Sequence, residues 1–261
     1  MGDRVTAMRV TATRMARSTV RPGDGAPSPA DAVAMHDLVS CPRRLRKAVR
    51  RAIVIDFEGL GVRAGEYEAP MPALLGMLEG DRYTAFVLAP GLHRFVGGRR
   101  RRRRGIARDA VASDFEAAVG TVVERAERGG RLIAFFSGHE LREIERGLGA
   151  DHPLVARMRR RAFDAKDALD RLSGRGRIER PADRSLSGYA GCLVPECRPH
   201  PLSGRVADRL RRLAATPNAA GHAGRFAELL AYNREDCALV RACVVAAALR
   251  ASRASTNPAA D

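Results

Sequence analysis

The sequence predicts an α/β fold: a mixed central sheet, made of a three-strand antiparallel meander plus parallel strands, flanked by helices. Three observations predict it. An apolar, β-branched run at residues 52–56 suits a buried strand. Two further strand-like runs follow it, with only a short turn between them. A helical segment then precedes another strand-like run, and this order requires a parallel crossover.

The meander comes first along the chain. We expect its strands at residues 52–56, 74–78 and 83–88, with a hairpin turn at 79–82. Ser113 and Glu116 then have the spacing of a capping box that opens a helix. This helix should end near residue 128, because Gly129 and Gly130 follow it. The fourth strand is expected at residues 131–136.

Helices complete the predicted domain. One begins near residue 139, and the others are expected at 153–172, 185–192, 206–215 and 225–250. The last has apolar residues at helical spacing along one face. Asp164 and Asp167 are expected to cap a helix rather than to bind a metal.

The charge of the chain indicates which class of partner it can bind. It has 261 residues and a formal net charge of +16, which favours a polyanion, nucleic acid above all. Lys47 and Lys166 are the only lysines. Because arginine supplies nearly all the charge in a chain rich in alanine and glycine, GC-rich coding is an alternative explanation of the charge.

We expect three segments: a basic, flexible stretch at 1–46, a folded domain at 47–250 and a flexible tail at 251–261. No apolar run reaches the roughly 18 residues that span a membrane. The N-terminus lacks the apolar stretch of a secretory signal. We therefore expect a cytoplasmic protein without a membrane partner.

Two carboxylates stand at the end of the first strand. Asp56 and Glu58 are two positions apart, so on a strand their side chains point to the same face. Adjacent carboxylates repel each other unless a cation lies between them. Oxygen ligands of this kind suit magnesium or manganese. The alternative is an ordinary strand end with solvated acids.

A second pair lies in the last predicted helix. Tyr232 and Asp236 are four residues apart and therefore share one face of the helix. A carboxylate beside the apolar stripe is costly to bury unless it binds a cation or hydrogen-bond donors. Alternatively, Asp236 is exposed and Tyr232 belongs to the core.

Cysteine usage indicates reduced thiols. The number is odd, and no small secreted disulfide framework is evident; the residues are Cys41, Cys192, Cys197, Cys237 and Cys243. The last two fit a helical apolar pattern, which predicts core positions. Cys192, Cys197 and His200 could hold zinc with a distant fourth ligand, although their spacing is looser than that of the usual zinc pairs.

The two acidic motifs, about 180 residues apart with strands and helices between them, carry a family resemblance. The chain resembles the ribonuclease H-like DEDD 3′–5′ exonucleases (DnaQ-like), in the branch whose third motif carries tyrosine (DEDDy). The stretch Tyr232-Asn-Arg-Glu-Asp236 is closer still to the predicted YprB-like domain, found alone or joined to RecB-like nucleases. The resemblance spans roughly residues 50 to 250.

The resemblance implies a 3′–5′ exonuclease that uses two ions of Mg²⁺ or Mn²⁺. Asp56, Glu58 and Asp236 would hold the first ion, Asp56 would bridge to the second, and Tyr232 would orient the attacking water. The family usually has aspartate in its middle motif, and Glu140 stands at the matching place, supporting the second ion from the outer shell. Glu143, one turn on, is the fallback for Glu140. His139 is expected to be structural or to face the substrate.

A run of six arginines is the candidate contact to the phosphate backbone of nucleic acid. Like charges at this density predict a mobile, solvated loop. The alternative is a solvated insertion shaped by coding bias. Its members are Arg99, Arg100, Arg101, Arg102, Arg103 and Arg104.

The expected partner is a single-stranded end of DNA or RNA. A partner nuclease or helicase would have to supply any further activity, because 261 residues leave no room for such a domain. Two rival interpretations stay open. In the first, the fold is kept but the site only binds nucleic acid or a partner protein. In the second, the chain is a basic accessory protein of unrelated fold.

Overall fold

The computed structural model describes residues 35–61, 70–96, 109–197, 202 and 204–256. Several predictions therefore lie outside the described residues. These are the arginine run at 99–104, His200 of the zinc alternative, the first 34 residues of the basic segment and the end of the tail. The described residues belong to one compact unit, Val33–Asp261.

Six strands of the described chain form one sheet in the order β4-β3-β2-β1-β5-β6. They are β1 Ile53–Glu58, β2 Leu74–Glu79, β3 Arg82–Val87, β4 Ala110–Ala112, β5 Ile133–Phe135 and β6 Ala162–Asp164. The first three pair antiparallel, while β4 lies parallel to β3, β5 to β1 and β6 to β5. The predicted α/β fold with a mixed sheet is confirmed.

Nine α-helices of the described chain surround this sheet. They are α1 Met35–Ser40, α2 Pro42–Arg51, α3 Phe115–Arg128, α4 His139–Leu148, α5 Pro153–Arg161, α6 Ala165–Gly174, α7 Leu186–Leu193, α8 Val206–Ala215 and α9 Ala219–Thr256. A 3-10 helix, Pro90–Phe95, follows β3. The predicted boundary at residue 46 falls inside α2, which packs against α9.

The sheet separates two layers of core, and β1 contributes to both. Ile53 and Ile55 pack with the apolar faces of α3, α4 and α5, whereas Val54 packs in the layer that contains α9. Positions two apart on a strand share a face. Asp56 and Glu58 therefore follow Val54 toward α9, and this alternation is what brings them to the site.

The cap predicted at Ser113 is wrong by one residue. Helix α3 begins at Phe115, and Asp114 caps it by accepting a 2.7 Å hydrogen bond from the amide of Ala117. Ser113 is still part of the strand region, because its amide donates to the carbonyl of Val87 at 3.1 Å. Pairing with β3 thus fixes the residue at which the helix can begin. The predicted helix end is confirmed by Gly130, whose φ is +57°.

Two short strands were not predicted. The continuous helix expected at 153–172 is wrong, since β6 interrupts it between α5 and α6. There, Phe163 is buried and pairs with Ala134 of β5, so burial at the sheet edge overrides the helical pattern. Strand β4 has only three residues, with Val111 exposed. The run expected as the fourth strand is therefore the fifth.

The last helix is longer than predicted. Helix α9 spans Ala219–Thr256 and reaches past both ends of the expected 225–250. Asn218 accepts a 3.1 Å hydrogen bond from the amide of Gly221, which stabilises the first turn. Ala251 is fully buried, so packing extends into the segment expected as tail. No helix in the described part of the chain is long and apolar enough to cross a membrane, α9 included.

All five cysteines are free, as expected. Cys237 and Cys243 are fully buried on α9, which confirms their core assignment.

Candidate metal centre

Three carboxylates from distant parts of the chain meet beside the end of β1. Asp56 and Glu58 come from β1, and Asp236 comes from α9. One carboxylate oxygen from each lies within 4.8 Å of the others. Each residue is partly exposed, so solvent and small ions can reach the cluster.

Helix α9 holds its position over the sheet through Arg241. The Nη1 of this residue donates to the carbonyl of Gly80 at 2.6 Å, and its Nη2 donates to the carbonyl of Leu78 at 3.0 Å. These bonds tie the helix to the turn between β2 and β3. Asp236 lies a little over one turn earlier along the helix, which brings its carboxylate to β1.

Tyr232 precedes Asp236 by one helical turn. Its hydroxyl forms a hydrogen bond with the carboxylate of Asp236. Burial and the negative charge of Asp236 hold the pKa of Tyr232 well above its usual value. Tyr232 therefore stays protonated at neutral pH, and it can donate a hydrogen bond but cannot act as a base.

Asn233 is a site residue that the sequence analysis missed. It is fully buried, and its Nδ2 donates to Asp56 Oδ2 at 2.6 Å. The hydroxyl of Tyr83 donates to Asn233 Oδ1 at 2.7 Å. A hydrogen bond from Asn233 also lowers the pKa of Glu58. Asn233 thus orients the carboxylates of Asp56 and Glu58 by hydrogen bonding from the buried face of α9.

The position of Asn233 in the helix is the sequence feature that could have revealed its role. It stands in the apolar stripe of α9, between the buried residues Leu230 and Cys237. A polar residue at such a position needs a buried partner. This requirement indicates a contact across the core.

Gly76 makes room for this amide. It lies opposite Asp56 in the antiparallel pair of β1 and β2. A Cβ at this position would approach Asn233 Oδ1 to 1.7 Å, well inside any real contact. The glycine is therefore required here by the close approach of Asn233, with no special backbone angle involved.

Burial and mutual repulsion disfavour the charged forms of the β1 carboxylates in the cluster. Burial raises the pKa of Asp56 well above its usual value, and the charges of Glu58, Glu140 and Asp236 raise it further. Burial and the charge of Asp236 raise the pKa of Glu58 to about 7. Like charges held this close favour protonation or a bound cation.

Glu140 is buried near the cluster but does not belong to the group of three. It is the second residue of α4 and is 6% exposed. The backbone amides of Ser137 and Glu140 hydrogen-bond to its carboxylate, yet Oε2 has no partner among the described residues. Burial raises the pKa of Glu140 to about 7. Its charge also raises the pKa of Asp56 and that of Glu58.

The remaining acidic candidates are engaged elsewhere. Glu143 pairs with Arg146 on the surface of α4 and lies 3.8 Å from His139. It is outside the carboxylate group. Asp164 caps α6, since its Oδ1 accepts a 2.9 Å hydrogen bond from the amide of Asp167, which confirms its expected capping role. The same role expected of Asp167 is wrong, because Asp167 lies inside the first turn and pairs with Arg171 at 2.8 Å.

The residues present fit a hard divalent cation. Three carboxylate oxygens provide the anionic ligands that magnesium and manganese prefer. Oε2 of Glu140, which has no hydrogen-bond partner among the described residues, is a further oxygen that could accept a bond near these three carboxylates. Among the described residues, the group of Asp56, Glu58 and Asp236 is the one that brings three such ligands together.

Comparison with known proteins does not place the chain in a family. No family model, no curated protein and no solved structure matches it. The geometry of the site itself is therefore the basis for a functional proposal.

Proposed function

We propose that the chain is a metal-dependent nuclease that hydrolyses phosphodiester bonds, a 3′–5′ exonuclease of the ribonuclease H-like class. The observation that carries the proposal is the meeting of Asp56, Glu58 and Asp236 within 4.8 Å. The mixed six-stranded sheet is compatible with that class. The resemblance in the sequence motifs implies the reaction and its 3′–5′ polarity.

The chain's own residues have distinct roles in this proposal. Asp56, Glu58 and Asp236 would hold Mg²⁺ or Mn²⁺, and Glu140 would support a second ion from the outer shell. A divalent ion bound there would supply Lewis acidity and lower the pKa of a coordinated water. Tyr232, protonated at neutral pH, would orient that water by hydrogen bonding. Asn233 would fix the rotamer of Asp56 before substrate arrives.

The test is cleavage of 3′- and 5′-labelled single-stranded DNA and RNA with Mn²⁺, Mg²⁺ or EDTA. We expect metal-dependent shortening from the 3′ end by the wild type. Asp56→Ala should remain folded by circular dichroism and lose at least a hundredfold in rate. Cleavage that persists in EDTA, or at an unchanged rate in Asp56→Ala, would contradict the proposal.

The second candidate is a binding module without turnover, and Glu140 is the observation that favours it. The broad family that the chain resembles usually has an aspartate there, although its YprB-like subgroup often has glutamate. Glu140 has a longer side chain than aspartate, and one of its buried oxygens has no partner among the described residues. A metal-binding protein that does not cleave, and that gains cleavage on Glu140→Asp, would support this candidate.

A further inference from the structure

A cleft rich in arginine lies between α8 and α9, outside the carboxylate site. Its volume is about 930 Å³, within the range of about 300 to 1,000 Å³ that is typical of ligand pockets. Four arginines and two carboxylates contribute to its lining. The arginines are Arg205, Arg209, Arg212 and Arg225.

Three of these arginines are available to an anion. Arg209 pairs with Glu228 inside the cleft. Among the described residues, Arg205, Arg212 and Arg225 form no ion pair, and all three are exposed. Arg225 Nη1 lies 3.4 Å from Nδ1 of His222, which also lines the cleft. The other lining carboxylate, Asp208, pairs with Arg211. The cleft therefore presents unneutralised guanidinium groups, which suit the oxygens of phosphate.

The cleft wall is fixed in place. Arg94, on the 3-10 helix, donates to the carbonyl of Ala214 at 2.8 Å near the end of α8. At the other side, α8 touches the segment that leaves β1: a Cβ on Gly61 would lie 3.1 Å from the Cβ of Ala207. Gly61 follows Glu58 by three residues. Helix α8 therefore contacts the segment that leaves β1 through the face opposite the cleft.

Helix α9 joins the cleft to the carboxylates along one face. Arg225 precedes Asp236 by 11 residues, close to three full turns, so the two share a face and lie about 16 Å apart along the axis. Tyr232 lies between them along the axis, about 20° around the helix from Arg225 and about 40° from Asp236. A chain of phosphates that runs along this face would meet the carboxylates at one end and the arginines at the other.

We propose that this cleft binds the phosphodiester backbone of a single nucleic-acid strand whose end lies at the carboxylates. The inference depends on the proposed function, because it assigns the substrate path of that same site. A cleft of about 930 Å³ is large enough for a short stretch of one strand. Contacts to phosphate carry no sequence information, so binding is independent of base sequence.

The test compares two triple variants of the full chain. One changes Arg205, Arg212 and Arg225 to glutamine. The matched control changes Arg128, Arg160 and Arg161, which lie on α3 and α5 against the other face of the sheet. Both remove three positive charges. Binding of a labelled single-stranded oligonucleotide is measured by fluorescence anisotropy in EDTA, which prevents cleavage, over a series of salt concentrations.

The cleft variant should bind at least tenfold more weakly than the control. Its plot of log affinity against log salt should be shallower by about 2, since each phosphate contact on a single strand contributes roughly 0.7. Its KM in Mn²⁺ should rise while kcat is retained. Equal affinities, or equal losses in both variants, overturn the cleft assignment. If the wild type cleaves and the cleft variant has the same KM as the wild type, the cleft assignment is wrong and the proposed function stands. If the wild type neither binds nor cleaves, both the cleft assignment and the proposed function are wrong.

Discussion

At the scale of single residues, the site is built on a buried amide rather than on the acids alone. Asn233 donates to Asp56 and accepts from Tyr83, so one side chain links α9, β1 and β3. Removing its amide would leave the Tyr83 hydroxyl buried without a partner, which costs about 1–3 kcal/mol. The carboxylates are thus positioned before any cation binds.

The raised pKa values predict an unusual pH dependence of stability. Glu58 has a pKa of about 7 in the folded chain against 4.5 normally, so between these values the folded state binds more protons than the unfolded state. The free energy of unfolding of the metal-free protein should therefore fall as pH rises from about 4.5 to 7. Urea denaturation in EDTA at several pH values measures this.

The control for this prediction removes one charge from the cluster. Asp236→Asn should make the decline shallower, because it removes a negative charge that raises the pKa of Glu58. Carboxyl groups whose pKa is lowered by folding, such as Glu79, change the free energy of unfolding only at pH values below this window. Stability that stays flat or rises between pH 5 and 7 in EDTA would contradict the electrostatic account.

At the scale of elements, the site depends on how closely α9 packs on β2. Gly76 allows this approach, and Arg241 fixes the helix over the turn between β2 and β3. Motif spacing in the sequence indicates that β1 and α9 carry the acids. It does not reveal which strand the helix crosses, because that follows from packing over the whole sheet.

Gly76→Ala tests this close packing. The added methyl group must displace Asn233 from Asp56, so stability should fall by about 1–3 kcal/mol and Mn²⁺ affinity should fall with it. The matched control is Gly120→Ala in the interior of α3, where the new Cβ meets only Leu154 at 3.8 Å. This control should gain about 0.5–1 kcal/mol and keep its Mn²⁺ affinity.

Thermal denaturation and calorimetric titration measure the two effects of these variants. If Gly76→Ala binds Mn²⁺ as tightly as the wild type, Asn233 does not organise the cluster. If Gly120→Ala loses as much affinity, the effect of Gly76→Ala is a general one.

At the scale of the whole molecule, long periodic elements were predictable and short ones were not. The meander, the crossover to β5 and helices α7 and α8 follow from local patterns in the sequence. Strands β4 and β6 have three residues each, too few to establish a period, and only their neighbours in the sheet make them strands. The cap of α3 was misplaced because backbone pairing of Ser113 with Val87 is a contact between distant residues.

The same division holds for the candidate site. Asp56, Glu58 and Asp236 were found because strand and helix periodicities place acids on defined faces. Asn233 and Gly76 were missed because their importance arises from one contact between helix and strand. The arginine cleft was missed because α8 and α9 bring its members together, although its charges are visible in the sequence.

The most direct test of the central claim is a calorimetric titration of Mn²⁺ into the metal-free protein at pH 7.5. The account predicts saturable binding by the wild type and by Asp151→Asn, an exposed acid far along the chain from the cluster. It predicts binding at least tenfold weaker in Asp236→Asn, which keeps the shape of the side chain but removes its charge. No saturable binding by the wild type, or equal affinity in Asp236→Asn, would contradict the claim that these three carboxylates form a metal centre.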